Sequence, residues 1–140
     1  MFILDTDHIS ILERGDTRQG ALLKARVQFS IMEVAVTVIS YEEQCRGWLA
    51  YVKRAKTRSQ MTEAYELLAI HAKVYGRIDI LNFDDRAFSK YVELQRARLS
   101  VGTQDLKIAA IVLAHDATLL SRNLKHFEKI PGLRVEDWTV

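Results

Sequence analysis

Short apolar segments rich in β-branched residues alternate with longer segments of helical periodicity along this chain. The clearest of the short segments, residues 34–39, is apolar nearly throughout, as expected of a parallel strand that is covered on both faces. Further strands are predicted at residues 2–4, 78–81, 117–120 and 133–135. This alternation predicts an α/β domain with a mainly parallel central sheet, helices on both faces, and functional groups beyond the carboxyl ends of the strands.

Helices are predicted in the segments between these strands. Asp7 can cap a short first helix that ends near Gly15. Thr103 follows the helix breaker Gly102 and can cap a core helix that continues through Ala114. The other helices are predicted at residues 19–27, 41–55 and 62–75, and from Asp84 or Asp85 to Arg98.

Length and composition predict one domain that spans residues 1–140. The chain has 49% hydrophobic residues and contains no Ser/Gly/Pro-rich segment that would act as a linker. Cys45 is the only cysteine, which excludes an intramolecular disulfide and a clustered thiolate metal site and fits a reducing compartment. The sequence offers neither a basic secretory leader nor an apolar run near the roughly 20 residues that cross a bilayer. We therefore expect a soluble cytoplasmic protein without a membrane partner.

Acidic and amide side chains stand where the predicted strands end. Because the carboxyl ends of parallel strands meet at one edge of a sheet, side chains that are distant in sequence can converge there. Oxygen ligands without neighbouring Cys or His suit Mg²⁺ or Mn²⁺ better than zinc. Each acid alone has an ordinary explanation as a helix cap or a first-turn residue, so the prediction depends on their convergence. The residues concerned are Asp5 after the first strand, Glu42 and Glu43 after Ser40 at the end of the second, Asp105 in a first helical turn, and Asn123 beyond the strand that ends at Leu120.

Four successive parts of the sequence resemble the motifs of PIN-domain nucleases, and their order matches as well. The similarity covers nearly the whole chain, and its last part resembles the ending common in VapC toxins of bacterial type II toxin–antitoxin pairs. The matching parts are Ile3-Leu4-Asp5-Thr6-Asp7, Ile39-Ser40-Tyr41-Glu42-Glu43 with Gly47, residues 102–110, and residues 117–123 followed by Phe127, residues 130–133 and residues 136–138.

The resemblance implies a PIN-like fold and specific roles for the acidic residues. Asp5, Glu43 and Asp105 would be metal ligands, and Asn123 would be a further catalytic residue at a position that carries Asp or Asn in the family. Glu43 is preferred by its spacing from Ser40 and Gly47, with Glu42 as the alternative. The possible supporting residues are Thr6, Asp7, Glu42 and Ser121, of which Ser121 is expected to contact the acidic cluster, while His126 stands where an acid is often found.

The same resemblance implies a Mg²⁺- or Mn²⁺-dependent endoribonuclease that leaves a 5′-phosphate and a 3′-hydroxyl. It also implies homodimerisation and a cognate VapB-like antitoxin, a segment of which would lie near the active site. The apolar helix faces between residues 41 and 75 are candidate interfaces for both kinds of partner.

Basic residues near the predicted site can contact the phosphates of an RNA substrate. The net charge of +2 is too small to indicate nucleic-acid binding, and a basic run is more often a solvated helix face. In the same run, Trp48 and Tyr51 can stack on a base, although core or interface packing is the commoner role of such residues. The possible RNA-binding residues are Arg46, Lys53, Arg54, Arg122 and Lys125.

Two other functions remain open from the sequence. The segment from Ile3 to Asp7 also resembles the Asp-x-Asp opening of haloacid-dehalogenase-like phosphohydrolases, in which Asp5 would be a nucleophile and Asp7 an acid/base. That family expects an acidic pair near its last strand, where this chain has Ser121 and Asn123. Alternatively, Asn123 and His126 at acid-tolerant positions suit a catalytically weakened PIN module that binds RNA or a protein.

Overall fold

Five parallel strands form the central sheet of the computed structural model, which describes residues 1–14 and 16–140. The strand order is β3-β2-β1-β4-β5, so the chain builds outward from β1 in one direction and then returns to add β4 and β5 on the other side. A crevice at the carboxyl ends of the strands is expected where the order reverses, next to β1. The strands are β1 (Phe2–Leu4), β2 (Val34–Thr37), β3 (Asp79–Leu81), β4 (Thr118–Leu120) and β5 (Arg134–Glu136).

Helices connect the strands and cover the sheet. Neighbouring residues of a strand point to opposite faces, so Ile3 packs with Ile108 and Leu119 in one core, and Leu4 packs with Ile9 and Leu23 in another. The predicted α/β architecture with helices on both faces is therefore confirmed. The helices are α1 (Thr6–Arg14), α2 (Arg18–Gln28), α3 (Val38–Arg54), α4 (Arg58–Tyr75), α5 (Asp85–Arg96), α6 (Thr103–Ala114) and α7 (Leu124–Phe127).

Most residues of helix α6 are buried in the larger core, so the stability of the protein depends on how tightly they pack. We expect Ile108→Ala to lower the free energy of unfolding by about 2–5 kcal/mol, because Ile108 is fully buried and its loss leaves a cavity. Urea-induced unfolding measures this change. Ile31→Ala in the segment between α2 and β2 is the matched control, since Ile31 is fully exposed and its truncation should change stability by about 0.5 kcal/mol or less. Equal losses in the two variants would contradict this description of the core.

The boundary between β2 and α3 differs from the prediction. The strand was expected to run through residue 39, but it ends at Thr37, whose hydroxyl accepts a hydrogen bond from the backbone N–H of Ser40 at 3.1 Å. This side-chain cap satisfies a free N–H at the helix start, so α3 begins at Val38. Glu42 and Glu43 lie in α3, as in the helix predicted over residues 41–55, but beyond its first turn because the helix begins three residues earlier.

Other helix boundaries also differ from the predictions. Asp7 and Thr103 were expected to be N-caps, but both lie inside their helices, and Gly102 is the N-cap of α6 without a side-chain hydrogen bond. The short helix α7 was not predicted, and the predicted end of α1 at Gly15 lies outside the described residues. Helix α5 ends at Arg96 instead of Arg98, which has a φ of 50°.

Candidate active site

Asp5 directly follows β1 at the sheet edge where the strand order reverses, and we call this edge the crevice. Its backbone N–H donates to the carbonyl of Leu120 at 2.9 Å, which places Asp5 beside the end of β4. The side chain is only 7% exposed; the Thr6 N–H donates to Oδ1 at 2.8 Å, and the Ser121 hydroxyl donates to Oδ2 at 2.9 Å. The contact predicted between Ser121 and the acidic cluster is therefore present.

Burial is the main reason that the pKa of Asp5 is raised, from 3.8 to about 7. The negative charges of Asp7 and, less strongly, Asp105 raise the pKa further, whereas the hydrogen bonds from Thr6 and Ser121 lower it. Among the side chains that the structure describes, which exclude those of residues 14 and 15, no Lys, Arg or His forms an ion pair with Asp5. The crevice thus holds a buried carboxylate whose negative charge is poorly compensated.

Glu43 approaches this carboxylate through a shared neighbour. The Thr6 hydroxyl donates to Glu43 Oε2 at 2.7 Å, while the Thr6 backbone N–H donates to Asp5. Thr6 therefore connects a side chain of α3 to the end of β1. Because α3 begins at Val38, Glu43 lies within the helix and reaches Thr6 from there.

Glu42 turns to different partners. Its carboxylate accepts a hydrogen bond from Gln104 at 3.0 Å and pairs with the guanidinium of Arg46 at 2.7 Å. The Gln104 bond is the main cause that holds the pKa of Glu42 below its usual value, and Arg46 contributes in the same direction. Glu42 thus links α3 to α6 and to its own helix surface, whereas Glu43 is linked to Asp5.

Asp105 and Asn123 come to the crevice from α6 and from the residues that follow β4. Asp105 lies in the first turn of α6, with its Oδ2 2.8 Å from His126 Nε2. The backbone N–H of Asn123 donates to the Ser121 hydroxyl at 3.0 Å, and Asn123 is the N-cap of α7 without a side-chain cap bond. His126 therefore engages Asp105 from the acid-tolerant position noted in the sequence.

Asp7 is held by three groups from two parts of the chain. Its Oδ2 accepts from the backbone N–H of Arg122 at 3.0 Å and lies 3.3 Å from the Ser121 hydroxyl, whose single proton it shares with Asp5, and its Oδ1 lies 2.8 Å from His8 Nδ1. Partial burial favours the protonated form, but the bonds from His8 and Arg122 outweigh it and hold the pKa of Asp7 below its usual value. Sequence reasoning missed His8 as part of this site.

The basic residues proposed to contact RNA are all exposed, and three of them lie near residues of the site. Arg46 pairs with Glu42, and the backbone of Arg122 contributes to the site through its bond to Asp7. Arg54 lines the outer end of a groove that also includes Glu43. The side chains of Lys53, Arg54, Arg122 and Lys125 are exposed.

The donor atoms near Asp5 suit a hard divalent cation. The carboxylates of Asp5, Glu43 and Asp105 offer oxygen ligands, and the poorly compensated charge of Asp5 would be neutralised by such an ion. Within the part of the chain that the structure describes, however, no three His, Cys, Asp or Glu side chains are arranged to hold a metal directly. One oxygen each of Glu43 and Asp105 is engaged by Thr6 and His126. The predicted convergence is therefore partial in this arrangement.

A parallel α/β domain with an acidic crevice beside β1 is the class that the fold and this site define. The PIN domain family model matches residues 2–133, and the chain belongs to the PIN-domain family. The resemblance found in the sequence is thereby confirmed. The match includes Asp5 and Asp7, so the Asp-x-Asp segment is part of a PIN domain, and the haloacid-dehalogenase interpretation loses its support.

Curated relatives carry VapC names. The chain is 36% identical over 67 residues to Ribonuclease VapC2 of Rickettsia felis. This alignment covers 45% of this chain and 50% of that protein. It is 33% identical over 75 residues to the tRNA(fMet)-specific endonuclease VapC of Salmonella typhimurium, or 51% of this chain and 57% of that one. The aligned part thus spans about half the length of these relatives. A longer alignment, 28% identical over 140 residues, covers 95% of this chain and 92% of Ribonuclease VapC1 of Rickettsia felis.

Solved toxin–antitoxin structures have the same fold. The structure of VapBC-1 from nontypeable Haemophilus influenzae matches with a TM-score of 0.70 and 26% identity over 99% of this chain and 98% of that chain. The structure of VapBC2 from Rickettsia felis, bound to a fragment of its promoter DNA, matches with a TM-score of 0.67 and 25% identity over 98% of both chains. Among the described helices, none combines the length and apolar character needed to cross a membrane.

Proposed function

We propose that this chain is a divalent-metal-dependent endoribonuclease and the toxin of a type II toxin–antitoxin pair. The observation that carries the proposal is the buried Asp5 carboxylate, which Thr6 links to Glu43 and whose pKa is raised to about 7. Membership of the PIN-domain family supports it, as does the similarity to ribonucleases with VapC names. The exposed Arg122 and Lys125 next to the crevice suit the phosphates that flank a scissile bond.

In this proposal Asp5, Glu43 and Asp105 would hold Mg²⁺ or Mn²⁺, and Asn123 would complete the polar rim of the crevice. A cation bound there would lower the pKa of a water and stabilise negative charge on the scissile phosphate. Thr6 and Ser121 orient the oxygens of Asp5, and the surrounding core keeps this carboxylate away from bulk water. Without a cation the clustered carboxylates repel a phosphodiester, so we expect cleavage to require added metal.

Cleavage of a mixed RNA pool tests the proposal. We expect cleavage with Mg²⁺ or Mn²⁺, its loss on adding EDTA, and products that carry a 5′-phosphate and a 3′-hydroxyl. Asp105→Asn, purified in parallel, should be impaired and serves as the control for contaminating nucleases. Cleavage that is equal in this variant, or that persists in EDTA, would contradict the proposal. Specific RNA binding without metal-dependent cleavage would instead favour the weakened PIN module.

A groove between α1, α3 and α4 is the surface that we assign to a VapB-like antitoxin. Its deeper part is a cavity of about 340 Å³, and from there the groove continues past Trp48 and Tyr51 to Glu43. Trp48 Nε1 and His71 Nε2 are buried and have no hydrogen-bond partner among the described residues, so an occupant can supply one. A segment bound here reaches the acidic crevice and would block it. The cavity is lined by Ser10, Glu13, Gln44, Trp48, Ile70 and His71, with Leu67 and Val74.

Trp48→Ala is expected to weaken antitoxin binding by about 10- to 30-fold, because large aromatic side chains in desolvated pockets carry much of the energy of an interface. The measurement is the Kd, obtained by calorimetry, for the small DNA-binding protein that the adjacent gene is expected to encode. Phe88→Ala on α5 is the control, since Phe88 is also a surface aromatic, 54% exposed, and lies outside the groove. Equal affinities of wild type and Trp48→Ala would refute the assignment.

We also propose that the chain forms a homodimer through the outer apolar residues of α3 and α4. Met61 and Tyr65 of α4 are large and exposed, which suits burial against a second copy. Sedimentation of the wild type and of a Met61→Ser/Tyr65→Ser variant tests this surface. A variant as dimeric as the wild type would exclude it.

A further inference from the structure

His8 is a fully buried polar residue, so a substrate cannot touch it directly. It follows Asp7 in the first turn of α1 and has no exposed area. The backbone N–H of Trp138 donates to its Nε2 at 3.2 Å, so Nε2 is an acceptor and the ring proton lies on Nδ1. Nδ1 can then donate to Asp7 Oδ1, 2.8 Å away. Both ring nitrogens are thus used, and the ring has one fixed orientation.

The contact from His8 continues to Asp5 through the hydroxyl of Ser121. The single proton of this hydroxyl lies between two carboxylates, because the oxygen is 2.9 Å from Asp5 Oδ2 and 3.3 Å from Asp7 Oδ2, the atom that also accepts from the Arg122 N–H. The Ser121 oxygen in turn accepts from the backbone N–H of Asn123 at 3.0 Å. Movement of Asp7 would therefore change the position of the hydroxyl that orients Asp5.

The other side of His8 rests on a segment that is held by its own contacts. The Trp138 ring packs on Phe2 with ring centres 4.6 Å apart, and its Nε1 donates to Glu136 at 2.8 Å. Asp137 Oδ1 accepts from both the N–H and the hydroxyl of Thr139 and lies 3.7 Å from His8 Nε2. The residues that follow β5 thus give His8 a rigid support.

We propose that His8 is a positioning residue of the nuclease site. It is held by residues 136–139 and in turn fixes the position of Asp7, and Asp7 acts through Ser121 on the carboxylate of Asp5. The proposal rests on the function assigned above, because it assumes that Asp5 acts in cleavage. Residues that orient the ligands of a metal commonly change activity or metal affinity by about 10- to 100-fold when they are replaced. His8 acts at a distance from RNA, so its loss should change kcat and leave KM for RNA nearly constant.

Two amide substitutions separate the two contacts of the ring. In His8→Gln the amide oxygen reaches the position of Nε2 and can accept from Trp138, but no donor faces Asp7. In His8→Asn the amide nitrogen reaches the position of Nδ1 and can donate to Asp7. We expect His8→Gln to lower kcat for Mn²⁺-dependent RNA cleavage by about 10-fold or more, with KM for RNA within about twofold of wild type, and His8→Asn to recover most of that loss.

A double-mutant cycle tests whether His8 acts through Asp7. Asp7→Ala should lower kcat by a similar factor, and adding His8→Gln to it should cause little further loss. Val112→Ala, in the buried part of α6 away from the crevice, controls for lost stability and should keep the wild-type kcat below its melting temperature.

Several outcomes would overturn the inference. Equal losses of kcat in His8→Gln and His8→Asn would mean that the ring only fills space. Wild-type kcat in His8→Gln, together with a large loss in Asp5→Asn, would remove the inference and leave the proposed function standing. If the His8 variants do not fold, Asp7→Ala decides the question, because the Asp7 side chain is 33% exposed and an unchanged kcat contradicts the chain of contacts. Absence of metal-dependent cleavage by the wild type would defeat the proposed function and the inference with it.

Discussion

Asp5→Asn is expected to lower RNA cleavage by at least ~100-fold and, at the same time, to stabilise the metal-free protein at neutral and alkaline pH. The loss of activity follows because one element of the electrostatic centre is removed, which typically costs on the order of 10²–10³-fold in rate. The gain in stability follows because the uncharged amide avoids burying a negative charge. A residue that serves only the fold would not combine these opposite effects.

The sign of the pH dependence follows from the raised pKa of Asp5. Between its ordinary value of 3.8 and about 7, folded Asp5 holds a proton that the unfolded chain has released. The free energy of unfolding of metal-free wild type should therefore fall as pH rises through this range. The total contribution is on the order of 4 kcal/mol, since one pH unit corresponds to about 1.4 kcal/mol. Asp5→Asn should lack this fall, so its advantage should be absent near pH 4 and largest above pH 7.

Urea unfolding in EDTA at pH 4, 6 and 8 measures the difference between wild type and Asp5→Asn. Saturating Mg²⁺ should stabilise the wild type more than the variant, because the ion binds the folded wild-type site. Asp79→Asn in β3 provides a control substitution of an exposed aspartate. A difference between wild type and Asp5→Asn that does not change with pH would contradict the raised pKa.

Glu43→Gln is expected to lose cleavage by about 100-fold, whereas Glu42→Gln should stay within about threefold of wild type. Glu43 is connected to Asp5 through Thr6, but Glu42 is bound to Gln104 and Arg46. The two isosteric substitutions in adjacent residues control for each other. Titrating Mn²⁺ at fixed RNA concentration separates weakened metal binding from a slower maximal rate.

The reverse result would exchange the roles of the two glutamates. A large loss in Glu42→Gln with an active Glu43→Gln would mean that the helix presents Glu42 to the metal when RNA is bound. Equal and small losses would remove α3 from the metal site.

The order of strands and helices could be predicted because the chain separates them clearly. Buried parallel strands such as β2 need β-branched apolar residues, and these stand out between the helical segments. The end of β2 was predicted two residues too late because Val38 and Ile39 also favour a strand. The hydroxyl of Thr37 decides the boundary by capping α3. Thr57 and Gln60 form a capping box that places the start of α4 at Arg58, and this pattern was available in the sequence.

The site was predictable where its residues directly follow neighbouring strands. It was not predictable where a contact depends on how loops and the chain end pack together. Asp5 and Ser121 could be placed together because parallel strands end at one edge. Asp7 was expected to be a helix cap and a possible supporting residue, but its partners could not be predicted, since local sequence cannot show that the backbone of Arg122 reaches its carboxylate. The bond between His8 and Trp138 joins residues 130 positions apart and depends on how β5 pairs with β4. Such contacts become visible only when the sheet is assembled.

The pairing of β1 with β4 also has a consequence for protein synthesis. Asp5 leaves the ribosome early, but the hydroxyl of Ser121 that orients it lies 116 residues later in the chain. A nascent chain therefore carries the first acidic residue of the crevice long before β4 is available to complete the centre of the sheet. Contacts between such distant segments form slowly and late. The nuclease activity that we propose would thus begin only after translation has passed β4, which protects the translating ribosome and its message from the growing polypeptide.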